Sequence, residues 1–345
     1  MPTKISEVIP PVIFGTAGLG NLFVAHDDAS KLEIIKECIA HSTGKVVFDT
    51  AGKYGAGLAL EVIGKSLKQL NIQQGDVIIS NKLGWYRVPL TTPEPTFEPG
   101  VWRNLNHDAV QKISYDGILQ CFNQGNELLN GYTPQWVSVH DPDEYLALSK
   151  NKEHEEALYH DILEAYRALL ELKNKGAVEA IGVGAKDWRS IQKISRDVDL
   201  DWVMFANSIT VHHHPKELLD FVKELHEKGV FIINSAVFHS GFLIGSDYYN
   251  YKFIDSNDAA NKTLITWRDD FFDVCRQYSI KPAQACVQFA LNITGVNSIA
   301  LSTTDPHRVK ENIAIINVEI PADFWDALLA KGLISNPYFL KDTIN

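Results

Sequence analysis

Residues 136–184 read WVSVHDPDEYLALSKNKEHEEALYHDILEAYRALLELKNKGAVEAIGVG. The run Trp136 to His140 is short and almost continuously apolar. The stretch Glu155 to Lys175 then places Leu158, Ile162, Leu163, Tyr166, Leu169 and Leu170 at helical spacing, and Gly176 follows as a C-cap. A second apolar run, Ala180 to Gly184, comes next. Runs this continuous are expected of parallel strands buried on both faces, with the helix as the crossover between them.

The same unit recurs on either side. Before it stand the runs Val12 to Gly15, Val46 to Asp49 and Val77 to Lys82; after it come Trp202 to Asn207, Val230 to Ser235 and Ser298 to Ser302. Helical patterns lie between them, among them Asp28 to Ala40 with Leu32, Ile35 and Ile39 on one side, and Lys216 to Lys228 ending at Gly229. Strand and helix alternating eight times predict an α/β protein with a single closed (β/α)8 TIM barrel. The rival is a doubly wound open sheet. It wants a glycine-rich phosphate loop after the first strand, which Gly15-Thr16-Ala17-Gly18-Leu19-Gly20 matches only loosely.

Composition narrows the class. The chain has 345 residues, 45% hydrophobic and 22% charged, ordinary for a globular protein and within the reach of one barrel. With no low-complexity linker or composition break, residues 1–345 read as one domain. A net charge of −11 argues against a nucleic-acid partner, which needs a surplus of Lys and Arg. The four cysteines, Cys38, Cys121, Cys275 and Cys286, lack metal-ligand spacing and read as reduced core thiols, so no metal is expected. The N-terminus carries no apolar signal core and no apolar run is long enough to cross a membrane, which points to the cytoplasm.

Two segments, Leu83 to Asp116 and Gly241 to Asp258, are too long for plain loops after strands. In a barrel they belong to the C-terminal mouth, where active sites sit. Polar residues fall at the same end. Asp49, Lys82 and His140 close the second, third and fourth apolar runs, and Tyr54 follows Asp49 by five residues. Together they make a proton-transfer device. A tyrosine titrates near ~10. A neighbouring ammonium, here Lys82, favours its phenolate. Asp49 would hold Lys82 charged, and His140 would orient a substrate oxygen. Any one of these residues alone reads more readily as a cap or surface group; it is the four together that point to chemistry. A second chemistry, a Lys82 Schiff base, stays open. Trp85, Tyr86, Arg87 and Trp102 are candidates for substrate contact in the first long loop; the alternative is that they pack beneath it.

The segment Phe48-Asp49-Thr50-Ala51-Gly52-Lys53-Tyr54-Gly55 resembles the Asp-Thr-Ala-x-x-Tyr-Gly motif of the aldo-keto reductases. Ser80-Asn81-Lys82 and His140 resemble that family's third- and fourth-strand motifs, and the likeness runs the length of the chain. Ser114 to Leu119 with Val139-His140-Asp141-Pro142-Asp143 resembles its aldose 1-dehydrogenase branch, with relatives acting on pyridoxal. The resemblance implies an NAD- or NADP-dependent oxidoreductase with a small-molecule sugar or aldehyde as partner. It further implies oxidation of an aldose such as L-fucose, D-arabinose or L-galactose to its lactone. The alternatives are a general aldehyde or ketone reductase, a pyridoxal dehydrogenase, a non-catalytic regulatory subunit and a cofactor-free lyase or aldolase.

The resemblance also implies cofactor contacts from Gly15, Thr16, Ala17 and Asp49. After the fifth strand Gly184-Ala185-Lys186 stands where many members have Ser-Asn. Asn207 follows the sixth, and Ser235-Ala236-Val237-Phe238 replaces the common Tyr-Ser-Pro-Leu after the seventh, so Gly184, Asn207, Ser235, Ala236 and Phe238 are candidates. Ser302, Thr303 and Thr304, with Arg308, Glu311 and Asn312 on the next helix, resemble the adenosine-phosphate pocket; an anion site at a helix N-terminus fits that reading. Thr304 or Asp305 also reads as that helix's N-cap. NADP-dependent members usually carry a lysine at the position of Ser302, so NAD is expected to serve well, with NADP tolerated through Arg308.

Overall fold

β-branched and aromatic residues make the expected runs extended, and in the computed structural model, which describes residues 5, 9–42 and 44–335, they pair in sequence order. The strands are β1 (Val12–Gly15), β2 (Val46–Ala51), β3 (Val77–Leu83), β4 (Trp136–His140), β5 (Ala180–Ala185), β6 (Trp202–Ala206), β7 (Phe231–Ser235) and β8 (Ser298–Leu301). All neighbours are parallel, and β1 pairs with both β2 and β8, so the sheet closes into a barrel and the open doubly wound sheet is excluded.

The helices α1 (Asp28–His41), α2 (Leu58–Gln69), α3 (Tyr115–Leu128), α4 (Lys152–Asn174), α5 (Trp188–Asp197), α6 (Lys216–Glu227), α7 (Pro282–Asn292) and α8 (His307–Ala314) follow the strands in turn. A further helix, Lys262–Gln277, precedes α7. Helix α4 starts earlier than its apolar spacing implies because the Asn151 side chain accepts the His154 amide at 2.8 Å and caps it there. It buries Leu158, Ile162, Tyr166 and Leu169 against the barrel. Strands β2 and β3 run past their expected ends. Asp49, Thr50 and Ala51 pair in register with Ser80, Asn81 and Lys82, so Asp49 lies within the ladder rather than at its edge.

Inside the barrel Ile13, Val47, Ile78, Trp136, Trp202, Met204, Phe231 and Ile233 form a plug, with the Trp136 and Trp202 rings 6.1 Å apart. Gly182 makes room for it: a Cβ there would lie 2.2 Å from the Trp202 ring. The four cysteines are free and buried, all of them on helices of the outer layer. Burial raises their thiol pKa values, to about 11 for Cys121 and about 12 for Cys275.

The two long segments carry structure of their own. The first contains an antiparallel hairpin, Trp85–Pro89 with His107–Gln111, over a small core of Ala56, Phe97, Trp102, Leu105 and Ala109. The second folds as a short helical turn, Phe242–Ile244, and a two-residue hairpin, Tyr248–Tyr249 with Lys252–Phe253. Among the described residues no helix is long and apolar enough to cross a membrane.

Candidate active site

The strand ends converge as a closed barrel requires. Lys82 Nζ meets Asp49 Oδ2 at 2.5 Å, both side chains almost fully buried, and Ser80 Oγ lies 3.5 Å from the other carboxylate oxygen. Tyr54 reaches back over this pair. Its amide donates to the Ala51 carbonyl at 3.1 Å, turning the chain just beyond β2. The turn Ala17–Gly20 presses against it from the side. A Cβ on Gly20 would lie 2.7 Å from the Tyr54 carbonyl carbon, and one on Gly55, at φ +62°, would lie 2.3 Å from the Gly20 oxygen. Two glycines meeting back to back thus let the tyrosine sit where it does.

The Tyr54 ring lies 4.9 Å from Lys82 Nζ, edge-on to His140 at 5.5 Å between centroids, and 6.1 Å from Trp102. Burial, then the charges on Asp49 and Asp141, push the Tyr54 hydroxyl well above its ordinary pKa. The net shift is opposite to the expected one because burial and the carboxylates outweigh the neighbouring cations; the Lys82 ammonium approaches the ring face while its direct ionic contact is with Asp49. Burial also raises the Asp49 carboxyl, against the pull of Lys82. His140 is driven well below its ordinary value by burial, then by Lys82 and Lys53, and is a neutral imidazole at neutral pH. Its Nδ1 is buried without a partner, and its Nε2 lies 3.6 Å from Asp141 Oδ2.

A cavity of about 990 Å³ opens over these groups, at the top of the ~300–1,000 Å³ range of small-molecule sites. Of the residues singled out in the sequence, Gly15, Thr16, Ala17, Asp49, Tyr54, Lys82, Trp102, His140, Gly184, Asn207, Ser235, Ala236 and Ser302 line it. Three of the strand ends around it turn into left-handed backbone: Asp141 at φ +45°, Asn207 at +56° and Ala236 at +53°. Non-glycine residues rarely hold that conformation, and it gathers at functional sites. Asn207 Oδ1 is buried with no partner. An amide donor of a bound carboxamide would satisfy it, and the residues present fit a nicotinamide on that ground.

Other candidates lie elsewhere. Trp85 packs on Phe97 at 5.8 Å, Tyr86 is covered by Lys112, and Arg87 ties the hairpin to α2 through the Ala56 carbonyl at 2.6 Å and Glu61 at 2.7 Å. None of the three lines the cavity, so the alternative reading of these residues, packing beneath their own loop, is where the structure places them. Phe238 packs between two core clusters. Thr303 and Asp305 bond one another, and Arg308 Nε stands 3.7 Å from Asp305 Oδ2, outside the cavity with Thr304, Glu311 and Asn312. Pro306, rather than Thr304 or Asp305, is the N-cap of α8, and Asp305 just before it accepts the His307 amide at 3.0 Å.

Sequence reasoning missed one wall of the cavity. Lys53, buried to 4% side-chain exposure, contacts Glu98 at 2.8 Å, Glu144 at 2.9 Å and Asp141 at 3.6 Å. Lys186 pairs with Glu144 as well and lies 3.9 Å from Asp141. Burial opposes the charge on both lysines, but the carboxylates outweigh it and raise both pKa values. Beside them, burial and Asp141 lift Asp143 to about 6. The signal was present: Lys53 fills a variable position of the Asp-Thr-Ala-x-x-Tyr-Gly motif, and Lys186 falls where Ser-Asn is common.

Fold and mouth together define a barrel enzyme with a tyrosine, a lysine–aspartate pair and a histidine gathered over a ligand-sized cavity. Residues 11–332 match the Aldo/keto reductase family, and the chain belongs to it. It is therefore an NAD(P)-dependent oxidoreductase acting on a small molecule. It is similar to the pyridoxal 4-dehydrogenase of Microbacterium luteolum, 26% identical over 327 residues and 93% of each chain. It is also similar to the D-threo-aldose 1-dehydrogenase of a Pseudomonas species, 25% identical over 342 residues, 95% of this chain and 96% of that one. An aldo-keto reductase from Bacillus halodurans, solved in its holo form, superposes with a TM-score of 0.69 at 17% identity, covering 97% of this chain and 96% of the other.

Proposed function

We propose that the protein is a dehydrogenase of cyclic hemiacetals, oxidising C1 of a neutral aldose to the lactone, with residues 1–345 acting as one catalytic unit. The observation that carries this reading is the cavity wall. Beside Tyr54 and His140 stand carboxylates of Glu98, Asp141, Asp143 and Glu144, a lining suited to hydroxyl donors rather than to an apolar aldehyde. The names of two relatives support it. Pyridoxal and aldoses share a carbonyl within ring-closing reach of a hydroxyl, so both form cyclic hemiacetals. Trp102, 6.1 Å from Tyr54, offers a face to a pyridine ring and keeps pyridoxal as the second reading.

In this mechanism the neutral His140 holds the C1 oxygen through Nε2, and Tyr54 Oη, ionised to the phenolate, takes the proton from the C1 hydroxyl as the C1–H bond breaks and the carbonyl forms. The nicotinamide, when bound, accepts the hydride. Lys82, fixed by Asp49, stands under the tyrosine ring and stabilises the phenolate that takes this proton. In reduction the steps reverse, and Tyr54 is the acid. Asn207, Gly184, Ser235 and Ala236 would hold the nicotinamide end, with Gly15, Thr16 and Ala17 as further cofactor contacts, and Ser302 to Thr304 with Arg308, Glu311 and Asn312 would hold the adenosine end. Arg308 stands near Asp305, and no lysine accompanies it at Ser302. A ribose 2′-phosphate lacks a second cation there, so NAD is favoured over NADP.

The test is a panel of aldoses, pyridoxal and simple aldehydes with NAD and NADP, following reduced nicotinamide. Lactone formation from neutral aldoses is expected. Reduction of simple aldehydes with every hemiacetal inert would overturn the reading.

A further inference from the structure

The wall missed by the sequence holds one group whose hydrogen-bonding capacity is unused. Asp141 Oδ2 is ringed by three nitrogens, His140 Nε2 and Lys53 Nζ at 3.6 Å and Lys186 Nζ at 3.9 Å, each just beyond hydrogen-bonding reach. Among the described residues its side chain accepts no hydrogen bond, although Asp141 is only 9% exposed and lines the cavity. Its neighbours are occupied. Lys53 is held by Glu98 and Glu144, and Lys186 by Glu144. The backbone fixes Asp141 in place: its amide donates to the Gly184 carbonyl at 3.2 Å, its own carbonyl accepts from Glu144 at 3.0 Å, and its φ is +45°. A buried carboxylate with cations close by and acceptor capacity free is a site for a hydroxyl donor.

The position says which hydroxyl. His140 Nε2, which holds the reacting oxygen in the mechanism above, is the atom 3.6 Å from Asp141 Oδ2. A second oxygen next to the reacting one, on the adjacent carbon, falls within reach of this carboxylate. Resting on the reading of the protein as an aldose dehydrogenase, the geometry points to Asp141 as the acceptor for the C2 hydroxyl of the sugar, making it the residue that selects 2-hydroxy substrates. The network around it sets a further limit. Glu98, Asp141 and Glu144 outnumber Lys53 and Lys186, and Asp143 lies alongside. A wall of net negative charge admits neutral sugars and disfavours sugar phosphates and uronates.

The experiment compares D-arabinose with 2-deoxy-D-ribose, which is D-arabinose without its C2 hydroxyl, in the full-length enzyme and in Asp141→Asn. Asparagine tolerates left-handed backbone, so the fold has no reason to change. The wild type is expected to prefer D-arabinose in kcat/KM by roughly 10–100-fold, the worth of a hydrogen bond to a charged group. In Asp141→Asn that ratio should fall toward one, chiefly through loss on D-arabinose. A wild type indifferent to the C2 hydroxyl overturns the inference without any variant. So does an Asp141→Asn enzyme that loses equally on both sugars, the mark of a merely structural role; in both cases the aldose reading stands. If no aldose is oxidised at all, that reading fails and the C2 site with it.

Discussion

At the scale of residues, Tyr54 carries a proton that its surroundings hold in place. Replacing it by phenylalanine should lower kcat by ~10²–10⁴-fold, the usual worth of general acid–base catalysis, while fluorescence titration finds reduced cofactor bound nearly as before. A Tyr54→Phe enzyme of ordinary rate would remove Tyr54 from the mechanism. Because burial, Asp49 and Asp141 raise the phenol, oxidation should speed up as pH rises and the hydroxyl gives up its proton. Two substitutions should move that profile in opposite directions. Asp49→Asn deletes a negative charge that disfavours the phenolate, so the limiting pKa falls and the profile shifts to lower pH. Lys82→Met deletes a cation that favours it, and residual oxidation shifts to higher pH. Shifts of the same sign in both enzymes would show that these charges do not tune Tyr54.

Among the elements, the barrel strands were the most legible part of the sequence, because a strand buried on both faces must be apolar throughout. Their ends were less so. Asp49 reads as a terminus from polarity alone, yet the ladder continues to Ala51 because Thr50 and Ala51 find partners in Asn81 and Lys82. The hairpin after β3 was read for its aromatics, and of those only Trp102 reaches the cavity. Arg87 was opaque because its partner Glu61 belongs to a helix 26 residues earlier, and no local pattern announces such a pair. The same applies to Lys53 and Lys186, whose shared carboxylate, Glu144, comes from the short helix Pro142–Leu146 after β4. The contact between the Ala17–Gly20 turn and the Tyr54 loop tests how far elements depend on one another. Gly55→Ala places a methyl against the Gly20 carbonyl at a positive φ and should destabilise by more than about 1 kcal/mol in urea. Gly75→Ala, with open space around its Cβ, is the control and should be neutral or slightly stabilising. Equal midpoints for the two variants would mean that the glycine contact is slack.

For the whole molecule, the cavity draws its lining from loops after every barrel strand, so a ligand that fills it ties the barrel's mouth together. Cofactor at 100 times its Kd should stabilise the fold by about 2.7 kcal/mol, read as a rise in Tm that grows with concentration. NAD should reach a given rise at lower concentration than NADP; the opposite order would contradict the role given to Ser302 and Arg308. The buried cysteines have a different consequence. Cys38 sits on α1, Cys121 on α3, Cys286 on α7 and Cys275 on the helix before it, each almost fully covered and held as a thiol. A thiol that must emerge before it reacts is a clock for the opening of its own helix. The folded enzyme should therefore stay silent toward an alkylating reagent while the denatured chain takes up label at all four sites. The order in which the four peptides acquire mass would rank the outer layer by how readily each quarter of the ring lets go of the barrel.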